Sequence, residues 1–153
     1  AILACQAGDV IVVEQSTGIV CAGWGGVLCA GAQLKEVGGV IVEGPARDID
    51  EARELDFPVY ARSATATTAR GRVYEQDFNC TIRVGDVEVK PGDYVIADSS
   101  AVAFVPSDRA EEVLARAEQI ADRERLMVLA LNRGKAITEV MGKNYETMLK
   151  ELK

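Results

Sequence analysis

The chain has 153 residues, 48% of them hydrophobic and 27% charged. Those proportions fit a globular domain with its own core and exclude a disordered segment. Seventeen basic against 24 acidic side chains leave a net charge of −7, which repels a phosphate backbone and argues against nonspecific nucleic-acid binding.

Other function classes fall away on composition too. There is no histidine, and Cys5, Cys21, Cys29 and Cys80 form no CxxC pair. This argues against a zinc site of the usual kind and removes Ser-His and Cys-His nucleophiles. Acid–base chemistry at neutral pH falls to carboxylates, Lys, Tyr, Cys or a metal-bound water. No apolar run approaches the ~20 residues of a membrane helix. The expectation is a cytoplasmic protein with reduced thiols, Cys21 and Cys29 serving as small core residues.

The elements follow in chain order. "AILACQ" reads as the last turns of a helix stopped at Gly8, and "DVIVVE" as a buried strand rich in β-branched residues. The abrupt start, without methionine, is expected to lie inside a domain. A Gly-rich stretch, "STGIVCAGWGG", gives way at Gly26 to a helical pattern through Val27, Leu28, Ala30, Ala32 and Leu34, ended by Gly38-Gly39. Residues 40–44, "VIVEG", form a second strand whose continuous apolar run expects cover on both faces. "DIDEARELDF" predicts a short helix capped by Asp48 or Asp50, and "PVYARSA" a third strand. "GRVYEQD", "CTIRVGDVEVK" and "DYVIADSSAVAFVP" read as strands with Gly-Asp turns at 85–86 and 92–93. Residues 108–133 carry one apolar stripe and predict a long helix, begun by Asp108 with Glu111 and closed at Asn132-Arg133-Gly134. The tail "AITEVMGKNYETMLKELK" predicts one or two short helices whose apolar residues pack on another subunit. Strand, helix, strand, helix, a run of strands and a helix make a mixed α/β protein.

One stretch carries candidate chemistry. Arg47 and Asp48 stand where the second strand ends and a helix begins, and ligands of open α/β sheets gather beyond the carboxyl ends of strands. A carboxylate there suits Mg²⁺ or Mn²⁺, and the adjacent guanidinium offers a planar fork to a substrate carboxylate. The plainer alternative is that Asp48 is a helix cap and Arg47 its surface ion-pair partner. The Gly-rich "GWGGVLCAG" offers backbone N–H groups to an anion, or is simply a tight turn with Trp24 in a core or interface. Asp50 and Glu51 are outer ligands or a charge cluster favoured by the helix dipole. Arg62, Arg70, Arg72 and Arg83 read as a solvated strand face.

Taken together, "AGDVIVVE", "WGGVLCAGA", "GGVIVEGPARDIDEARELDFPVYARS", "GRVYE", "VEVKPGDYVIADSSAVAFVP" and "RAEEVLARAEQIADRE" resemble the family named for the regulator of ribonuclease activity A. That family also holds metal-dependent 4-hydroxy-4-methyl-2-oxoglutarate aldolases. The resemblance runs over about residues 4–124. It implies a compact β/β/α swivelling-type domain with mixed sheets and a long C-terminal helix, assembled as a homotrimer or homohexamer with sites between subunits. It expects residues 1–133 to be that domain, with a further N-terminal region missing from this chain, and 134–153 to be a helical tail at an oligomer contact.

The aldolase members carry an acidic residue, twenty intervening residues and then Arg-Asp. Arg47-Asp48 match the second half, and Gly26 stands at the acidic position, a departure that weakens the aldolase reading. By resemblance, Asp48 holds Mg²⁺ or Mn²⁺ through an ordered water shell, and Arg47 grips the pyruvyl group of a small 2-oxo acid. The N–H groups after Gly26, those of Val27 and Leu28, hold the substrate carboxylate. The implied activity is a lyase performing retro-aldol cleavage or oxaloacetate decarboxylation. The alternative is a non-catalytic ring that binds and regulates a ribonuclease or another partner. A methyltransferase label sometimes given to the family finds no nucleotide-binding Gly motif here.

Overall fold

A computed structural model of the chain describes residues 1–142. The first element is a single 3₁₀ turn, Ile2–Ala4, after which Cys5 is extended. In place of the helical turns expected up to Gly8, the Ala4 and Cys5 N–H groups close a single turn on the Ala1 and Ile2 carbonyls and the chain then extends.

Three strands then build a parallel sheet in the order β1 (Val10–Glu14), β2 (Gly39–Ala46), β3 (Val59–Ala64). The connections are helices, α1 (Gly26–Gln33) between β1 and β2 and α2 (Ile49–Glu54) between β2 and β3. The central strand β2 is covered as its apolar run predicts, with Val40, Ile41, Val42 and Ala46 all buried. Against it pack Ile11 of β1, Trp24, Cys29 and Ala32 around α1, and Ala52 and Phe57 around α2. Helix α1 ends one turn earlier than Gly38-Gly39 implied. Glu36 takes a left-handed conformation (φ 56°), and the Val37 and Glu36 N–H groups close on the Ala32 and Gln33 carbonyls.

The register of β2 against β3 shifts between Val42 and Pro45. Proline has no N–H to give a ladder, so a bulge is the expected accommodation. Beyond β3 come two small sheets. β4 (Ile82–Val84) pairs antiparallel with β5 (Val87–Val89), and β6 (Tyr94–Ala97) pairs with β7 (Val102–Val105). The strand expected at "GRVYEQD" is absent, and those residues form a turn and irregular chain. Only Val73 among them is even half-buried, so nothing gives that stretch an apolar face to pack or a ladder to join.

A second compact unit begins at Val105, where β7 ends. A 3₁₀ turn, Ser107–Arg109, leads into the 23-residue helix α3 (Ala110–Asn132). Its N-cap is Arg109 with no side-chain cap, in place of the expected Asp108–Glu111 signature. Its end matches the Asn-Arg-Gly reading: Gly134 is left-handed (φ 89°), and the Gly134 and Lys135 N–H groups return to the Leu131 and Ala130 carbonyls. A short helix α4 (Ile137–Val140) follows, with Val140 buried. The rest of the predicted helical tail, from residue 143, lies outside the described residues. The protein is thus a mixed α/β fold with several sheets and a long C-terminal helix.

Candidate functional site

The carboxyl end of β2 is where the chain gathers its chemistry, and backbone pairing explains how. The Gly23–Gly25 loop lies alongside the last residues of β2. The Gly23 N–H donates to the Pro45 carbonyl at 2.8 Å, the Arg47 N–H donates to the Trp24 carbonyl at 3.0 Å, and Trp24 bridges Ala46 in parallel. On the opposite flank the Thr65 N–H donates to the Ala46 carbonyl at 2.9 Å. The Trp24 side chain is buried and its indole N–H points at the Cys29 sulfur, 3.2 Å away. Indole packing and strand pairing together fix the start of α1 beside Arg47-Asp48.

Asp48 occupies the N-cap position of α2, yet its side chain makes no capping hydrogen bond to that helix. Its backbone is left-handed, φ 56° and ψ 41°, a conformation Asp tolerates better than most residues but at a cost of about 1 kcal/mol. The carboxylate turns instead to the neighbouring helix: Oδ2 accepts the Gly26 N–H, at the first residue of α1, at 3.0 Å. A carboxylate on a helix N-terminal N–H is a charge-assisted bond at the positive end of the dipole. The same oxygen lies 3.3 Å from Arg47 Nε, with the aspartate side chain 28% and the arginine 40% exposed. An ion pair this exposed contributes little stability. Its effect is to keep a cation and an anion side by side facing solvent.

Gly25 and Gly26 allow this approach. A Cβ on Gly25 would stand 2.9 Å from Asp48 Oδ2 and 3.0 Å from both Arg47 Cγ and Nε. A Cβ on Gly26 would run into the carboxylate of Glu51 and stand 3.3 Å from Asp48 Cβ. Of the two amides expected to hold a substrate carboxylate, that of Leu28 already donates to the Gly25 carbonyl at 3.0 Å. The Val27 N–H donates to no acceptor among the described residues, and its side chain is exposed. Asp50 points away, paired with Arg53 at 2.9 Å on the surface.

Beside Arg47 and Asp48 lies an open depression of about 500 Å³, completed by Ile49, Ala64, Thr65 and Ala66. Sequence reasoning missed all four of these and Gly25. The available signal was position: residues 64–66 leave the carboxyl end of a parallel strand next to β2, where ligands of such sheets collect. The four arginines read as a solvated strand face are engaged locally in three cases. Arg62 clamps Glu43 through two bonds of 2.8 and 2.9 Å, Arg72 donates to the Thr68 carbonyl and Arg83 to that of Asp86.

Among the described residues no three His, Cys, Asp or Glu side chains gather as a metal cage. The donor set at the depression is one carboxylate with a second acidic side chain near it. Such a set fits a small hard cation that keeps most of its waters, and does not fit zinc. The field of these acids reaches the core. Burial pushes the Cys29 thiol above its ordinary value of 9.0, the Trp24 N–H opposes that rise, and the negative charges of Asp48 and Glu51 add to it.

Comparison with known proteins agrees with this fold. The RraA-like family model, Aldolase/RraA, matches residues 1–104. Protein DlpA of Legionella pneumophila is 28% identical over 131 residues, which is 86% of this chain and 21% of DlpA. The 4-hydroxy-4-methyl-2-oxoglutarate aldolase of Thermus thermophilus is 33% identical over 104 residues, 65% of this chain and 60% of that enzyme. The crystal structure of Streptomyces coelicolor RraAS2, described as an unusual member of the RNase ES inhibitor RraA protein family, superposes with a TM-score of 0.72 at 27% identity. It covers 82% of this chain and 65% of that one. The chain therefore spans about a fifth of DlpA and three-fifths of the Thermus enzyme. With more than half its length matched by the family model and the fold in agreement, the chain belongs to the RraA-like, Aldolase/RraA family.

Proposed function

We propose that the chain carries the site of a divalent-metal-dependent lyase acting on small 2-oxo acids, by retro-aldol cleavage of 4-hydroxy-2-oxo acids or by decarboxylation of oxaloacetate to pyruvate. The observation that carries this reading is the use made of Asp48. A residue in the capping position leaves its own helix uncapped, adopts a left-handed backbone and presents its carboxylate with Arg47 at an open depression. A plain helix cap needs none of these features.

Asp48 would hold Mg²⁺ or Mn²⁺, whose positive charge would draw electron density from the 2-oxo group. The chain's own residues supply the rest. Arg47 offers a guanidinium fork to the pyruvyl carboxylate and 2-oxo oxygen. When the bond between C3 and C4 breaks, its electron pair stays on the pyruvyl fragment as an enolate; C4 departs as CO₂ or, in the retro-aldol, as a carbonyl whose hydroxyl proton passes to water, and the enolate then takes a proton from water at C3. The Arg47 charge stabilises the enolate more than the starting keto acid. The Val27 N–H, at the start of α1 and without an acceptor among the described residues, suits one carboxylate oxygen. Ala64 and Ala66 leave room for a small acid.

The test is pyruvate release from oxaloacetate by the purified chain, with Mg²⁺ and with excess chelator. Release that requires metal and falls at least ~100-fold in Arg47→Ala supports the reading. An undiminished rate in chelator overturns it.

A second reading is favoured by one observation, the likeness to a protein of the RNase ES inhibitor family. On that reading the chain is part of a non-catalytic ring, trimeric or hexameric, that docks on a ribonuclease. Capture of a ribonuclease by wild type and Asp48→Asn alike, with no lyase activity, distinguishes it.

A further inference from the structure

The lining of the depression divides sharply by charge. Arg47 is the one basic side chain among the described residues that line it. Arg62, two residues before Ala64, is held by Glu43 through two bonds, and Arg53 is tied to Asp50. Apart from Arg47 and Asp48 the lining is Ile49, which packs on the core, with Ala64, Thr65 and Ala66. The 64–66 segment is fixed by its backbone. The Thr65 N–H donates to the Ala46 carbonyl at 2.9 Å, and Thr65 Oγ accepts the Thr67 N–H at 3.2 Å. The Thr67 carbonyl in turn accepts the Ala22 N–H at 2.9 Å. The donors this segment has left, the Ala66 N–H and the Thr65 hydroxyl, carry no charge.

A 4-hydroxy-2-oxo acid brings two halves to such a site. Its pyruvyl half, C1 to C3, takes Arg47. The half beginning at C4 is left with Ile49, Ala64, Thr65 and Ala66. A second carboxylate there would give up water without gaining a positive partner, beside a stretch, residues 47–53, with three acidic side chains against two basic ones. An alkyl group there would bury apolar area instead, with the C4 hydroxyl on a neutral donor. Resting on the lyase reading above, we propose that this site selects 4-hydroxy-2-oxo acids whose C4 half is short and uncharged, and that residues 64–66 select them. Their cleavage sends the C3–C4 electron pair to the pyruvyl enolate, which takes a proton from water. The C4 hydroxyl proton passes to water, and C4 leaves as a short aldehyde. Oxaloacetate is consistent with the same lining, because its second carboxylate loses its charge as it departs as CO₂.

The test uses two pairs of equal carbon number. 2-Oxopentanoate and 2-oxoglutarate lack the C4 hydroxyl needed for retro-aldol cleavage, so calorimetry reads their binding alone. 4-Hydroxy-2-oxopentanoate and 4-hydroxy-2-oxoglutarate are compared by kcat/KM for pyruvate release with Mg²⁺. The uncharged member of each pair is expected to lead by at least ~10-fold. Ala66→Lys, at an exposed position, is expected to shift both ratios toward the dicarboxylate, with circular dichroism reporting the fold. Parity or reversed preference in either pair overturns the substrate class. So does oxaloacetate turnover with neither hydroxy acid cleaved. In both cases Mg²⁺-dependent oxaloacetate turnover leaves the lyase reading intact. Ratios unmoved in folded Ala66→Lys overturn the role of residues 64–66. No Mg²⁺-dependent pyruvate from any of the three substrates overturns both readings.

Discussion

Asp48 concentrates the cost and the use of the site in one residue. Its left-handed backbone suits Asp and Asn, and suits a residue without a short polar side chain poorly. Asp48→Asn should therefore keep the fold, losing only the charge assistance of its bond to the Gly26 N–H, about 0.5–1 kcal/mol in urea denaturation. Asp48→Ala loses the bond altogether and keeps the strain, so about 1–2 kcal/mol is expected. Comparing the two separates backbone strain from the carboxylate's own bond. A loss in Asp48→Asn as large as in Asp48→Ala would contradict that division. Gly25 makes a related prediction. A methyl there meets side-chain ends of Asp48 and Arg47, which give way more easily than backbone. Gly25→Ala should cost about 1–2 kcal/mol and leave a folded protein whose Arg47 and Asp48 are displaced. Retained Mn²⁺ affinity in that variant would show that the pair does not depend on the glycine.

At the scale of elements, the β2 core and the loop laid beside it hold the site in place. Trp24 joins them, with its carbonyl on the Arg47 N–H and its indole buried against Cys29. Trp24→Ala should cost about 3–5 kcal/mol by emptying that volume, and it should loosen the site as the protein unfolds. Cys29 supplies a pH signature. Its raised pKa means the folded state holds the thiol proton more tightly than the unfolded chain. Stability is then fully present below the ordinary thiol value of 9.0 and is lost as pH rises through the folded pKa. Unfolding free energy measured from pH 8 upward should fall above about pH 9, and Cys29→Ala should flatten that fall. Cys5 keeps part of the slope, since burial and the Asp9 charge raise its pKa too.

The elements also show how far the sequence could be read. β-branched runs located β1 and β2, because a covered parallel strand leaves a continuous apolar signature; β3, with one β-branched residue and four of its six residues exposed, carries no such run. The Arg47-Asp48 pair stood out by its position after β2. The direction of the Asp48 carboxylate did not. Capping rules act on the residue's own helix, whereas this side chain answers a helix start 22 residues earlier. The place of Glu51 over Gly26 is likewise a product of two crossovers, with no local signal. "GRVYEQD" failed in the opposite sense: its Val-Tyr pair has strand propensity, but the stretch joins no sheet among the described residues.

For the whole molecule, the family match ends at residue 104, where the first compact unit also ends. That unit contains Arg47, Asp48, Glu51, the depression and the buried cluster around β2. No described helix is long and apolar enough to cross a membrane. Because the chain matches only part of each relative's length, the chemistry is best asked of the site itself. The most direct question is whether the Asp48 carboxylate is needed for metal-dependent turnover in a protein that remains folded. Pyruvate released from oxaloacetate should be measured with saturating Mg²⁺ for wild type and Asp48→Asn, matched for folded fraction. Loss of at least ~100-fold in the variant is the predicted result; equal rates would contradict the assignment of this carboxylate to the reaction.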